Sequence, residues 1–171
     1  MSIVNVNKES LSVRGGLATA DIWMEVDGIS FPKVQWNDFA IVIMGWWCVG
    51  LIRLLRNESA REIFDFMDGP YSVELSRTEG SAGRLSAFEG AGRRCEVASG
   101  GVVISEFAHD FVIEARILLR RCKEINWWST DANQLDESLK ILSEILIRSH
   151  GNTPPSPPVL AHSRSGARGK H

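Results

Sequence analysis

Apolar and polar residues alternate along the first clear element of the chain. Ile22, Met24 and Val26 alternate with Asp21, Trp23 and Glu25 between Ala20 and Val26, a period of two that predicts a half-buried strand. Asp27-Gly28 follows, the dipeptide favoured where both central residues of a tight turn need positive φ, and Ile29 and Phe31 resume the extended pattern up to Pro32. From Trp36 the period lengthens. Asn37 or Asp38 is placed to cap a helix carrying apolar residues from Phe39 to Leu55, with no charge between Asp38 and Arg53. That uncharged run falls short of the roughly 18 to 20 residues a membrane span needs, so a central buried helix is expected.

Four short extended runs come next: Glu62–Met67, Tyr71–Arg77, Arg84–Glu89 and Arg94–Ala98. Asp68-Gly69-Pro70 and clustered Gly and Ser separate them, as in an antiparallel meander. In the second run Tyr71, Val73 and Leu75 share one face while Ser72, Glu74 and Ser76 share the other, the pattern of a sheet covered on one side. Two helical periods close the pattern, one over about Glu106–Ile125 and one beginning after Thr130. Asn126-Trp127-Trp128-Ser129 joins them, its tryptophans expected to plug the end of the core. The fold class is therefore α+β in two layers: an antiparallel sheet, made of the N-terminal hairpin and the four-strand meander, against a central helix and a C-terminal helical hairpin. This domain is expected over residues 1–150. Residues 151–171, with Thr153-Pro154-Pro155-Ser156-Pro157-Pro158 and then Ser, Gly, Arg and His, are expected to form a stiff spacer and a disordered basic tail, either natural or appended for expression.

Composition adds charge to this picture. The chain has a net charge of −2, but through Asn152 there are 16 Lys+Arg against 21 Asp+Glu, a balance of −5, and the tail adds Arg164, Arg168 and Lys170 with no acid. An acidic domain argues against direct nucleic-acid binding, which needs clustered Lys and Arg, and suits a basic protein partner. Cys48, Cys95 and Cys122 are far apart and odd in number. They support neither a zinc knuckle nor a redox pair, and each is read as a small buried hydrophobe. Reduced thiols and an N-terminus without a signal-peptide pattern place the chain by default in the cytoplasm.

Chemistry is sparse. Glu106, His109 and Asp110 lie close on one helix, but a metal or acid–base site needs more convergent ligands, so a polar helix face is the reading and no metal or cofactor is assigned. Gly90-Ala91-Gly92-Arg93-Arg94 fits neither the dinucleotide nor the P-loop spacing, and it precedes a strand, so a hairpin turn is expected. With no nucleophile elbow, HExxH or paired carboxylates, no enzymatic activity is expected. The polar face of the meander offers a binding surface instead. Asp65, Asp68, Glu74, Glu79, Glu89 and Glu96 fall on or beside its strands, and Ile63 and Met67 set apolar atoms next to Asp65.

Two segments carry a resemblance. Ile29-Ser30-Phe31-Pro32-Lys33-Val34-Gln35-Trp36-Asn37-Asp38-Phe39, running into Val42, Ile43 and Trp46-Trp47, is one; Phe64-Asp65-Phe66-Met67-Asp68-Gly69-Pro70-Tyr71 is the other. Together they resemble small bacterial proteins encoded beside polymorphic toxins, in particular immunity proteins of contact-dependent growth inhibition systems. The likeness is one of pattern and order and transfers no functional residue. It implies a protein that binds and neutralises a cognate toxin domain, often a basic nuclease acting on RNA such as tRNA, by occluding its active site without turnover or cofactor. Two other readings keep the fold: a small-ligand-binding or enzymatic domain using a pocket among Trp46, Trp47, Trp127 and Trp128, and peripheral membrane attachment through residues 39 to 52.

Overall fold

A computed structural model describes residues 2–151. Of the tail expected over residues 151–171, Gly151 is the last residue of the final helix and residues 152–171 lie outside the described residues. The order of elements is four strands and a helix, twice over, and then a last helix. The first unit holds β1 (Val4–Arg14), β2 (Leu17–Val26), β3 (Ile29–Phe31), β4 (Asn37–Asp38) and α1 (Ala40–Leu55). The second holds β5 (Arg61–Asp65), β6 (Tyr71–Arg77), β7 (Ala82–Glu89), β8 (Cys95–Val103) and α2 (Ile104–Glu124), and α3 (Thr130–Gly151) follows. The α+β class stands. The strands, however, divide into two antiparallel four-stranded sheets.

In the first sheet β2 is central. The Asp27-Gly28 turn forms as expected, with φ of 50° and 77°, and pairs Val26 with Ile29. β1 lines one edge of β2, from Val4 opposite Met24 to Arg14 opposite Leu17. β3 and the two-residue β4 share the other edge. The alternation in β2 puts Ala20, Ile22, Met24 and Val26 into the core. In the second sheet the strands lie in sequence order, with Phe64, Val73, Leu75, Leu85 and Ala87 turned inward. One continuous cluster of buried side chains joins both inner faces to all three helices, with Trp47, Phe64, Phe107 and Phe111 among its largest members.

α1 does not begin as the sequence suggested. Asn37 and Asp38 are strand residues paired with Asp21 and Ala20, and the residue preceding the helix is Phe39, with no side-chain cap. Asp38 is 2% exposed and spends its carboxylate on other donors: the Phe39 amide at 2.7 Å, the Asp68 amide at 3.1 Å and the Trp36 indole at 3.3 Å. A buried carboxylate is stable only with such donors, and here it ties the start of α1 to the β5–β6 turn. Among the cysteines, Cys48 and Cys122 are buried as expected, whereas Cys95 is exposed at the start of β8. Trp127 packs on the core at the α2–α3 joint, but Trp128 is 39% exposed with Lys123 Nζ 4.7 Å from its ring centroid, so one tryptophan fills the role expected of two.

β1 is held at its start by α2. The Asp110 carboxylate accepts hydrogen bonds from the amides of Ile3 (2.6 Å) and Val4 (2.7 Å), and the Ser2 hydroxyl lies 2.7 Å from its second oxygen. One turn later Glu114 accepts from the Val6 amide at 3.2 Å. Edge-strand amides with no strand beyond them thus find partners on a helix. No helix among the described residues is long and apolar enough to cross a membrane.

Candidate functional site

The outer face of the second sheet follows from its register. Ile63 pairs with Glu74 and Glu74 with Ser86; Asp65 pairs with Ser72, Ser72 with Phe88 and Phe88 with Glu96. Since side chains alternate, these residues share one face with Arg61, Ser76 and Arg84. The face is more balanced in charge than the acids alone suggested. Glu74 lies between Arg61 at 3.8 Å and Arg94 at 3.9 Å. Arg94 also donates to the Ser72 hydroxyl at 3.0 Å and sets its guanidinium 4.2 Å from the Phe88 ring centroid. Arg84 donates to Ser99 at 2.7 Å and to Glu96 at 3.1 Å. The Ser99 hydroxyl, and more weakly Ser86 and Arg84, hold the Glu96 carboxyl below the usual glutamate range. Long arginine stems therefore cover the serines at the centre of this face, and Ser72 and Ser86 are buried beneath them.

Four of the eight residues singled out in the sequence gather at one end. Ile63 and Asp65 stand on the edge strand β5, and Met67 and Asp68 follow in the β5–β6 turn; Ile63 is 43% and Met67 47% exposed. Glu89 reaches that end along β7, pairing with Tyr71 where β6 begins, but alternation sets it on the side of the sheet opposite to Phe88 and Ser72. Glu79 does not: it lies in the β6–β7 turn at the far end of a seven-residue strand, about 20 Å away at ~3.3 Å per residue. Glu74 and Glu96 occupy the middle of the face and the β8 edge, both paired with arginine. Among the described residues Asp65, Asp68, Glu79 and Glu89 make no ion pair.

The end that carries Ile63 and Met67 is rigidly supported. The Asp68 amide is bound by Asp38, and the Phe66 amide donates to the Tyr71 carbonyl at 3.0 Å across the turn. Gly69 has φ +89°, and a Cβ there would fall 2.6 Å from the Tyr71 ring. That ring is packed edge-on against Trp36 and Phe31, with centroids 5.1 and 5.7 Å away. The turn thus needs glycine on two counts, conformation and space. Beside it a depression of about 430 Å³ opens between Ile63, Asp65, Tyr71, Ser72 and Arg94. Apolar anchors and charges on a supported rim suit a protein contact.

The other candidates come apart. Asp110 is committed to the N-terminus, His109 lines a groove between α2 and α3, and no group of three or more His, Cys, Asp or Glu among the described residues is placed to hold a metal. Gly90-Ala91-Gly92 lies in the β7–β8 connection, as expected. The four tryptophans share no pocket. Trp47 is buried and donates to the Asp65 carbonyl at 2.9 Å, Trp127 and Trp128 lie at the α2–α3 joint, and Trp46 is 53% exposed in a groove between α1 and α3. The sequence reading missed that groove. Its signal was the i, i+4, i+7 spacing of Val42, Trp46 and Val49, a stripe separate from the buried one.

No family model and no curated protein matches the chain. Among solved structures, one described as crystal structures of Trypanosoma brucei MRP1/MRP2 aligns with 73% of this chain and 88% of its own, at 8% identity and a TM-score of 0.34. A likeness that distant carries no argument about function.

Proposed function

We infer that this chain is a binding protein of the immunity type. It neutralises the C-terminal toxin domain of a polymorphic toxin, a basic nuclease acting on RNA such as tRNA, by covering its active site in the cytoplasm. The observation that carries the reading is the supported end of the meander, where exposed Ile63 and Met67 sit beside the unpaired carboxylates of Asp65 and Asp68. Such a patch gives a basic partner apolar anchors and complementary charge, and occlusion requires neither turnover nor cofactor. The excess of acids through Asn152 adds to it, as does the resemblance in the two segments around Trp36 and Phe64.

The test is co-expression with candidate nuclease toxin domains of polymorphic toxins, scored by co-purification and by rescue of growth. A complex is expected, with Ile63→Asp and Met67→Asp each weakening it about 10-fold or more while the domain stays folded. Neither complex nor rescue would remove the toxin reading. A complex indifferent to both substitutions would remove this surface.

A further inference from the structure

We propose that the groove between α1 and α3 is a docking site for a basic amphipathic helix of a partner protein. The two helices run alongside in the same direction, since residues 41–49 of α1 face 131–138 of α3 and Arg56 faces residues 144–149. Between their first halves lies a hollow of about 420 Å³. One wall is apolar: Val42, Trp46 and Val49 follow one another at helical spacing, with Gly45 leaving room beside the indole. Trp46 is 53% and Val49 49% exposed. The other wall is acidic, carrying Asp131 and Glu137, and no Lys or Arg lines the hollow.

Lys140, one turn beyond Glu137, is bonded to Glu137 at 2.7 Å and to Asp136 at 3.3 Å. Asp131, Asp136 and Glu137 on this stretch of α3 thus outnumber the one ammonium of Lys140, which pairs with the last two. A half-exposed tryptophan is a costly residue to leave in water and a frequent anchor of interfaces. An apolar stripe opposite an acidic wall selects a ligand that is apolar on one side and positive on the other. Two side-by-side helices offer a third helix a seam to lie in, the helix-in-groove mode. This surface is distinct from the meander end, and the occupant's chemistry follows from the two walls.

The probe is a fluorescein-labelled peptide of about 18 residues, five helical turns, with leucines at i, i+3, i+4, i+7 and lysines elsewhere; its control replaces lysine by glutamate. Anisotropy with the full chain should show saturable binding of the lysine peptide, weakened by salt, and none of the glutamate peptide. Trp46→Ala should weaken binding about 10-fold or more, and Asp131→Asn with Glu137→Gln about 5-fold with loss of the salt dependence. Glu79→Gln with Glu89→Gln, on the meander, should leave it unchanged.

A second variant guards against misfolding. A Cβ at Gly45 meets nothing within 4 Å, so Gly45→Leu fills the hollow while favouring the helix, and should abolish binding with no loss of stability. Absence of binding, equal binding of both peptides, indifference to Trp46→Ala and Gly45→Leu, or equal loss in the meander pair would each overturn the proposal. No toxin domain enters the experiment, so its failure leaves the toxin reading standing, and the failure of that reading leaves this one standing.

Discussion

Replacing Asp110 tests how the edge strand β1 is held. Asp110→Ala removes the acceptor of the Ile3 and Val4 amides, at 2.6 and 2.7 Å, and of the Ser2 hydroxyl if its one proton points there. That hydroxyl also lies 2.7 Å from the Val4 carbonyl and can serve only one of the two at a time, so the amides carry the argument. Hydrogen bonds to a charged group contribute about 1.5–3 kcal/mol each, and a half-buried amide left unpaired loses most of that. The chain has an alternative, which is to lift its first residues into water. Val4 is fully buried, and exposing it costs about 1.5–3 kcal/mol. Lifting the strand is the cheaper route and caps the loss at about 1.5–3 kcal/mol.

Asp110→Asn separates charge from geometry. One amide oxygen can still accept from both backbone groups, and removing the charge relieves Glu114, whose pKa Asp110 helps to raise. The expected loss is about 1 kcal/mol. Urea denaturation gives both values, and hydrogen exchange at Ile3 and Val4 shows where the opening occurs: fast in the alanine variant, near wild type in the asparagine variant. An alanine loss below about 0.5 kcal/mol, or equal losses in the two variants, would refute the claim that this carboxylate anchors β1.

Glu114 supplies a pH dependence. Burial, and then the nearby Asp110, raise its pKa against the Val6 amide bond. The folded state therefore holds this proton to higher pH than the unfolded chain, and stability falls as pH rises from the ordinary glutamate range through the raised value. Glu114→Gln, which can still accept from Val6, should be more stable than wild type at neutral pH and level with it in acid, as read by melting curves across pH. Gly69→Ala should lose about 2 kcal/mol or more from the Tyr71 clash and the positive φ, and the proposed toxin binding at the meander end should fall with it. Alkylation followed by mass spectrometry should label Cys95 alone in the native state, since burial pushes the Cys48 thiol up to about 12 and Cys122 up to about 11.

The period-two and period-3.6 segments were legible because burial on one side writes itself into sequence. β2, β6 and the three helices lie close to where their patterns put them. What escaped has physical causes. β1 is mostly half-exposed, and its pairing slips between Asn7 and Ser12, so no clean alternation survives. β8 continues through Ser99-Gly100-Gly101, residues that weaken a strand. Gly100 sits there because Asp27 packs over it, a Cβ at that position falling 3.2 Å from the Asp27 Cβ. Asp38 reads as a helix cap, yet none of its three donors lies within the helix, and only the fold brings Asp68 to it. The acids of the meander were legible as residues, but their pairing with Arg61, Arg84 and Arg94 was not, because it depends on register across strands.

That pairing changes what the meander can do electrostatically. Six acids spread over a face would make a broad field, and charge reversal at Glu74 or Glu89 would then act alike on a basic partner. In the structure they differ. Glu74 stands between two arginines with 17% of its side chain exposed, so Glu74→Lys sets a third cation between them and should cost about 1–3 kcal/mol of stability. Glu89 is exposed and makes no ion pair among the described residues, so Glu89→Lys should leave stability within about 0.5 kcal/mol. Its effect should fall on the association rate with the proposed toxin partner, reduced several-fold at low salt and converging with wild type at high salt. Stopped-flow association and urea melts on the same two variants decide the matter. If both reversals slow association equally with no loss of stability, the arginines do not neutralise Glu74 and the two carboxylates contribute alike to one acidic field.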